Sequence, residues 1–285
     1  MKYACALLLA AAACTSSAAP QPLPSHFSNG DVRLAFTLDF PEGTPPFPAV
    51  VMGHGSGRMT RDQLRWASTH LTKLGFAVLR FDKRGVGEST GNFVFVGTHD
   101  SPWVFPQLAG DVAAGVRFLR TRPEIDPKRI GLVGNSQAGW ILPIAAHELG
   151  DVAFMVLLAG PVCTVGQEMR YSEVERTGRP VADGEAALDT FAGETGFDPV
   201  PVLRSVNTPT LWLLGLDDHS IPVQTTLRNL KTLASSGRPF EWRTYEGLDH
   251  ALSPAIWEDV GRWLERFGAR PQPPTFAPPS PSKDR

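Results

Sequence analysis

Apolar stretches alternate with amphipathic stretches through most of the chain. Seven apolar stretches have the length and the content of β-branched and aromatic residues that favour strands, and in order they read VRLAFTLDF, PAVVMGHG, FAVLRFD, RIGLVGN, VAFMVLLAG, TPTLWLLG and PFEWRTY. Several are continuously apolar, as strands covered on both faces are. The alternation over residues 31–267 therefore predicts a mostly parallel sheet with helices on both faces.

Two of the intervening segments show the period of amphipathic helices. Residues 61–75 end at Gly75, a residue type that commonly caps a helix C-terminus. Their apolar stripe consists of Leu64, Ala67, Leu71 and Leu74. Residues 108–123 repeat the pattern and stop at Pro123, with the apolar positions Val112, Val116 and Leu119. Both segments are predicted to be helices that pack on the sheet.

Residues 163–206 interrupt this rhythm. The segment is polar, has Gly and Pro at irregular intervals, and is too long for a connection between neighbouring elements. Long loops of this kind commonly cover a functional site. We expect a small lid with one or two short helices, one of them within DGEAALDTFAG at residues 183–193.

The two ends of the chain differ from the middle. The sequence MKYACALLLAAAAC has one Lys before an apolar run that is too short to span a bilayer, which predicts a signal peptide over residues 1–19 and an exported, periplasmic protein. A second processing route stays open, in which a lipoprotein signal ends before Cys14 and that residue carries a lipid anchor to a membrane surface. Residues 20–269 are expected to form one domain, and the proline-rich residues 270–285 a disordered tail.

The composition excludes some classes of function. The chain has 285 residues, 42% hydrophobic and 20% charged, with a formal net charge of −2, which fits a globular protein without a basic surface for nucleic acid. A small molecule is therefore the expected partner. No spacing of His and Cys argues for a metal, and KRGVGEST lacks the ending of a phosphate-binding loop, so neither a metal nor a cofactor is expected.

A serine between small residues follows the fourth predicted strand. In LVGNSQAG, Gly134 and Ala138 lie two positions before and two positions after Ser136. A tight strand-to-helix turn needs small residues at these positions, and it lifts the serine hydroxyl above the sheet edge at the positive end of the next helix. The pattern by itself also fits an ordinary turn serine. Ser136 is therefore a candidate nucleophile that needs a base and an acid elsewhere in the chain.

Later strands end in residues that can supply the acid and the base. In LWLLGLDDHSIPV, either Asp217 or Asp218 follows a strand and could orient a base. In RTYEGLDHALSP, His250 follows the last predicted strand and is the candidate base. The order serine, aspartate, histidine is the one expected when the serine lies on a strand-to-helix turn.

The loop after the second predicted strand can stabilise negative charge. In VVMGHGSG, Gly53, Gly55 and Gly57 allow the backbone to approach a substrate closely. An acyl-transfer reaction needs about two hydrogen-bond donors aimed at the developing oxyanion. We expect the amides of Ser56 and Gln137 to be these donors, so that neither side chain is required.

These motifs together resemble those of the α/β-hydrolase superfamily of serine hydrolases, and the chain is similar to bacterial EstD-type esterases and to serine-aminopeptidase-like hydrolases. The sequence LGFAVLRFDKRGVGEST at residues 74–90 matches a strand and turn common in that superfamily. The similarity covers residues 31–268 and is weakest across the lid. It implies an α/β-hydrolase fold and a carboxylesterase that works through an acyl-enzyme, with Ser136, Asp218 and His250 as the catalytic triad.

The resemblance leaves alternatives open. The spacing Gly-x-x-Asp counted from Gly215 selects Asp218 over Asp217 as the acid. A peptidase or a thioesterase of the same fold stays possible, and a peptidase could hold the amino terminus of its substrate with the lid residues Glu168, Glu173 and Glu175. A non-catalytic exported binding module is the alternative from another class, although such proteins usually lack a triad member.

Other residues near these motifs have structural interpretations. Asp82 and Arg84 are expected to hold the turn after the third predicted strand together. Trp103 and Phe105 fit either the wall of an acyl pocket or a cover over the sheet edge. Cys163 is expected to be a small packed residue and not a second nucleophile.

Overall fold

The computed structural model describes residues 25–178 and 180–269. Within them lies one eight-stranded sheet with the strands β1 His26–Asn29, β2 Val32–Asp39, β3 Phe47–Gly53, β4 Ala77–Phe81, β5 Ile125–Asn135, β6 Met155–Leu158, β7 Thr210–Gly215 and β8 Phe240–Tyr245. All seven predicted strands are confirmed. β1 was not predicted because HFSN is short and mostly polar. The predicted signal peptide, the anchor at Cys14 and the proline-rich tail lie outside the described residues.

The order of the strands creates a crevice at one edge of the sheet. The order is β1-β2-β4-β3-β5-β6-β7-β8, and from β4 to β8 all neighbouring strands are parallel. β4 lies next to β3 on one side, and β5 lies next to β3 on the other side. The order in which strands are added to the sheet therefore reverses between β3 and β5. α/β proteins bind ligands at such switch points, outside the carboxyl ends of the strands. The loops after β3 and β5 therefore meet where a ligand site is expected.

Helices cover both faces of the sheet, as predicted. They are α1 Arg65–Lys73, α2 Ser101–Arg120, α3 Ala138–Leu149, α4 Val165–Glu175, α5 Val181–Ala186, α6 Val200–Leu203, α7 Val223–Ser235 and α8 Ile256–Leu264, with 3-10 turns at Arg61–Leu64 and Glu265–Phe267. One apolar cluster joins α2, α3 and α7 to the sheet, and a second joins α1 and α8 to it. Within residues 25–178 and 180–269, no helix is long and apolar enough to cross a bilayer.

Both predicted sheet-packing helices are present. In α1 and the turn before it, Leu64, Ala67 and Leu71 are buried, as the stripe required. α2 begins at Ser101, seven residues earlier than residue 108. Pro102 lies in the first turn of α2, where a helix tolerates proline because the amide there has no intrahelical partner.

The lid at residues 163–206 contains three helices, α4, α5 and α6, where one or two were expected. The helix expected within residues 183–193 begins at Val181 and ends at Ala186. α4 was not predicted, although its start carries a capping box that the sequence TVGQ encodes. Thr164 Oγ1 accepts from the Gln167 amide at 3.2 Å, and Gln167 Oε1 accepts from the Thr164 amide at 3.0 Å.

Candidate active site

Ser136 lies on a strained turn between β5 and α3. Its φ is +54°, in the left-handed region that a residue with a side chain rarely adopts. The Ser136 amide donates to the Leu158 carbonyl of β6 at 2.9 Å, and the Ser136 carbonyl accepts from the Gly139 amide at 2.8 Å. Strain of this kind persists only when the surroundings impose it, and it clusters at functional sites.

The small residues around Ser136 are required by close packing. A Cβ atom added to Gly134 would lie 2.5 Å from the Cβ of Ala138. One added to Gly139 would lie 2.7 Å from Pro161 Cδ and 2.8 Å from Gly160 Cα. Distances this short force atoms apart, so the pattern Gly-x-Ser-x-Ala-Gly is a packing requirement of the turn.

Asp218 is the carboxylate that contacts His250. Asp218 follows β7 and has no exposed surface, whereas its neighbour Asp217 is exposed. Asp218 Oδ2 lies 2.8 Å from His250 Nδ1. Its other oxygen, Oδ1, accepts from the amides of Ser220 at 2.7 Å and Ile221 at 3.0 Å. These two bonds hold the carboxylate in one orientation. Because a carboxylate only accepts hydrogen bonds, the contact with Oδ2 places a hydrogen on Nδ1 of His250.

His250 follows β8, and with Nδ1 on Asp218 its other ring nitrogen, Nε2, is left to take a proton. The structure brings the predicted acid and base into contact and places Ser136 at the same sheet edge, after β5. Among residues 25–178 and 180–269, no hydrogen bond joins the Ser136 hydroxyl to His250. Catalytic hydrogen bonds of this type often tighten only when substrate is bound.

The amides expected to form the oxyanion hole lie at the crevice between β3 and β5. These two strands pair in parallel with Gly53 opposite Gly134, which places the loop of Ser56 beside the turn of Ser136. Within the described part of the chain, the amides of Ser56 and Gln137 have no hydrogen-bond acceptor. Ser56 and Gln137 also line a cavity of about 430 Å³ whose lining includes residues 93–97.

Lys83 is the residue at this site that the sequence analysis missed. Its ammonium group donates to Gly55 O at 3.0 Å, to Gly57 O at 3.3 Å and to Gln137 Oε1 at 2.8 Å. Burial lowers the pKa of Lys83 to about 8. A lysine directly after a buried strand was the available signal, but its three acceptors lie 26 to 54 residues away along the chain.

His54 supports the same loop from the side of the sheet. Its Nε2 lies 2.6 Å from the Phe81 carbonyl, and since a carbonyl only accepts, Nε2 carries the hydrogen. Burial, reinforced by the charge of Lys83, lowers the pKa of His54 to about 3. His54 is therefore neutral and has a structural role in the loop.

The turn after β4 is held by Asp82 and Arg84, as predicted. Asp82 accepts from the Arg61 amide at 2.8 Å and from the Glu88 amide at 2.9 Å. Arg84 reaches outward to α2, where its guanidinium donates to both carboxylate oxygens of Asp111 at 2.6 and 2.8 Å. The turn that carries Lys83 is thus fixed on both sides by buried ionic groups.

Of the lid residues Glu168, Glu173 and Glu175, Glu168 is the one that interacts electrostatically with both Asp218 and His250. Burial raises the pKa of Glu168 to about 7, and the charges of His250 and Asp218 also act on this group. Glu173 is exposed and pairs with Arg170, and Glu175 is buried and pairs with His219. Glu168 is therefore the lid glutamate whose charge interacts with both Asp218 and His250.

Tyr171 of α4 connects the lid to the loop that carries the acid. Its hydroxyl donates to the backbone carbonyl of Asp218 at 2.5 Å, and the side chain is fully buried. Burial raises the pKa of Tyr171 above its usual range, so the hydroxyl stays protonated and remains a donor.

We expect Tyr171→Phe to lower the free energy of unfolding by about 1–2 kcal/mol, because the buried Asp218 carbonyl would lose its donor. We also expect kcat to fall by less than about 10-fold, since the bonds to the Asp218 carboxylate remain. Urea unfolding and steady-state kinetics measure both effects. Tyr245→Phe is the matched control: it removes a hydroxyl that bonds to Asp259 and should leave kcat unchanged. Equal stability of Tyr171→Phe and the wild type would contradict the assigned role.

The aromatic residues Trp103 and Phe105 of α2 do not line the cavity beside Ser56. Phe105 is fully buried and stacks on Trp140, with ring centroids 5.4 Å apart, and Trp103 is partly exposed. Residues 93–97 supply the apolar wall instead. Cys163 is a buried free thiol, and burial raises its pKa, so it is a packed residue. The described residues contain no group of three or more His, Cys, Asp or Glu side chains that could hold a metal ion.

Comparison with known proteins gives a family match and several relatives. The model of the prolyl oligopeptidase family matches residues 62–265, a range that includes Ser136, Asp218 and His250 but starts after Ser56. The acylamino-acid-releasing enzyme of Rattus norvegicus is 26% identical over 251 residues, which are 82% of this chain and 33% of that enzyme. Acyl-coenzyme A thioesterase 3 of Mus musculus is 25% identical over 203 residues, which are 66% of this chain and 43% of that enzyme.

The chain spans about a third of the length of the acylamino-acid-releasing enzyme that it matches. Among solved structures, an esterase from Pyrococcus furiosus is similar with a TM-score of 0.65 and 20% sequence identity, and the match covers 85% of this chain and 89% of that one. Likeness at this level of identity is a likeness of fold. Together with the family match, it confirms the predicted α/β-hydrolase fold.

Proposed function

Since the chain belongs to the prolyl oligopeptidase family, we propose that it is a serine hydrolase that cleaves carboxylic esters of small molecules through an acyl-enzyme. The observation that carries the proposal is the hydrogen-bonded pair of Asp218 and His250 at the sheet edge where the strained Ser136 turn lies. A nucleophile, a base and an orienting acid are the groups that this chemistry needs.

In the proposed reaction, His250 Nε2 accepts the proton of the Ser136 hydroxyl while its oxygen attacks the ester carbonyl carbon. Asp218 holds the ring and stabilises the imidazolium that forms. The amides of Ser56 and Gln137 donate to the carbonyl oxygen as it becomes negative. The alcohol then leaves with the proton from His250, and water attacks the acyl-enzyme by the same route to release the carboxylic acid.

The cavity beside Ser56 and Gln137 supports a small substrate with an apolar group. Its volume is about 430 Å³, within the range of small-molecule sites. Phe93, Val94, Phe95 and Val96 provide apolar surface on one wall. This surface suits an aliphatic or aromatic group attached to the ester.

A peptidase is the second candidate, and Glu168 is the observation in its favour. A half-buried carboxylate close to Asp218 and His250 could pair with a substrate amine. The relative named an acylamino-acid-releasing enzyme is a further reason to test amide substrates. The relative named a thioesterase gives the same reason for thioesters.

Parallel assays on methyl butyrate, butyryl-coenzyme A and alanine p-nitroanilide test the proposal. For each substrate, kcat/KM is divided by the rate constant of uncatalysed hydrolysis, and Ser136→Ala protein provides the background. We expect the largest ratio for the oxygen ester, by about 10-fold or more, because the site has an apolar cavity that suits an uncharged ester.

A larger ratio for the anilide would assign a peptidase instead. In that case Glu168→Gln should raise KM for the alanine substrate, which has a free amine, and leave KM for methyl butyrate unchanged. A larger ratio for the thioester would assign a thioesterase. No turnover of any of the three would favour the non-catalytic binding module.

A further inference from the structure

Lys83 is a buried cation in an unusual setting. Its side chain lies behind the loop at residues 53–57, the residue is 3% exposed, and no carboxylate in the described parts of the chain forms an ion pair with it. An ammonium group in such a position is costly unless all of its hydrogens are bonded. Its three donors meet three acceptors: two carbonyls of this loop and the side chain of Gln137.

The first of these bonds determines the direction of an amide. Gly55 O and Ser56 N belong to the same peptide unit, which is planar, and in a trans peptide the C=O and N–H point in opposite directions. Since Lys83 Nζ bonds Gly55 O at 3.0 Å, the Ser56 N–H must point away from Lys83. A cation on the carbonyl also polarises the peptide and makes its N–H a stronger donor.

The other two bonds hold the rest of the arrangement. Gln137 Oε1 is 2.8 Å from Lys83 Nζ, so the residue that carries the second free amide is attached to the same ammonium group. Gly57 O, at 3.3 Å, fixes the far end of the loop. One side chain therefore connects the loop after β3 to the turn after β5, the two segments that carry both amides.

We propose that Lys83 is the positioning residue of the oxyanion hole, because its ammonium group orients the Gly55–Ser56 peptide and Gln137 and adds positive charge behind the two amides. The proposal rests on the proposed function. It assigns to the lysine of the KRGVGEST turn a role that the turn itself does not require, since Asp82 and Arg84 already hold that turn.

Deprotonation of Lys83 should weaken the arrangement. A neutral amine has two N–H donors in place of three, so at least one of the three acceptors loses its bond, and the positive charge disappears. With a pKa of about 8, the ammonium form dominates at neutral pH and is lost as the pH rises through that value. We therefore expect kcat to decline at alkaline pH with a midpoint near the pKa of Lys83.

Other charged or titratable groups lie near Lys83. They are His54 and Arg58 from the loop after β3, Asp82 and Arg84 from its own turn, Asp100 at the cavity and Asp111 of α2. His54 is neutral, with a pKa lowered by burial to about 3, and Asp111 is paired with Arg84. Glu168 of α4, whose pKa burial raises to about 7, is hydrogen-bonded to Ser172 and not to this loop. Lys83 Nζ bonds both segments that carry the amides, so we assign the expected decline to Lys83.

The test is the pair of variants Lys83→Met and Gln137→Glu. Lys83→Met keeps the length of the side chain and removes the charge, and we expect kcat to fall about 10-fold to 100-fold with KM changed less than about 3-fold. The remaining activity should show no decline near pH 8. Lys231→Met, an exposed lysine of α7, is the matched control and should behave as the wild type.

Gln137→Glu keeps the shape of the side chain and places a carboxylate on the ammonium group. An opposite charge favours the protonated lysine, so the midpoint of the alkaline decline should move to higher pH. This variant keeps the test decisive if Lys83→Met fails to fold. An unchanged midpoint in Gln137→Glu, or unchanged kcat in folded Lys83→Met, would overturn the proposal.

Labelling separates this outcome from failure of the proposed function. One outcome is that a fluorophosphonate probe labels Ser136 in the wild type while the Lys83 and Gln137 variants show unchanged kinetics. That outcome would support the serine hydrolase and contradict only the role of Lys83. No label on wild-type Ser136 would remove the proposed function and this inference with it.

Discussion

Ser136→Ala is expected to lower kcat/KM for ester hydrolysis by about 10⁴-fold or more and to abolish labelling by a fluorophosphonate probe. The hydroxyl is the only functional group removed, and without it no acyl-enzyme can form. The measurements are initial rates with methyl butyrate and the mass of the probe adduct on the intact protein.

The fold should survive this substitution. Alanine at a φ of +54° carries the same steric penalty as serine, and it is small enough for the close packing with the turn that follows. Thermal unfolding should therefore be within a few degrees of the wild type. Ser235→Ala, at an exposed position of α7, is the matched control and should retain full activity and labelling. If folded Ser136→Ala hydrolysed the ester at the wild-type rate, Ser136 could not be the nucleophile.

Asp218→Asn is expected to lower kcat by about 10⁴-fold, with the protein still folded. Asn has the shape of Asp, but its amide nitrogen cannot accept a hydrogen bond and its neutral oxygen stabilises the imidazolium poorly. The ring of His250 would lose the partner that assigns the proton to Nδ1. The measurement is kcat across the pH range, with circular dichroism as a check on folding.

Asp217→Asn is the matched control for this prediction. The neighbouring residue has the same chemistry and the same loop, but its side chain is exposed, whereas that of Asp218 is fully buried against His250. We expect the kcat of Asp217→Asn to lie within about 2-fold of the wild type, as surface changes usually have small effects. The opposite result, with Asp217→Asn inactive and Asp218→Asn active, would mean that the loop after β7 is arranged differently during catalysis.

Local patterns were sufficient for most of the fold. The seven long apolar strands and the helices α1 and α2 follow from periodicities that can be read within about ten to twenty residues, because each element must present its own apolar surface to the sheet. β1 was not predicted because its four mostly polar residues show no apolar periodicity. α4 has too few apolar positions to indicate a helix, although the capping box at Thr164 marks its start.

The candidate site was predictable to the same extent. Ser136 stands in a pattern of small residues that the packing of its turn requires, and Asp218 and His250 each follow a strand whose carboxyl end faces the same edge. The spacing Gly-x-x-Asp from Gly215 selects Asp218 over Asp217, but the two residues have the same chemistry, and it is burial that distinguishes them in the structure. Burial depends on the lid helix α4, whose Tyr171 reaches the Asp218 backbone across 47 residues of chain.

The amino-acid sequence by itself determined the parallel sheet, the turn that exposes a serine, and the order of the candidate nucleophile, acid and base, since each depends on neighbours a few positions away. The spacing from Gly215 favoured Asp218, and the tertiary structure places its carboxylate against His250. Only the tertiary structure decided that Glu168 interacts with Asp218 and His250, and that Lys83 joins the two segments with free amides. These contacts are hydrogen bonds and buried interactions between segments that are distant in the chain. Such segments come close to one another only when the strands assemble into the sheet.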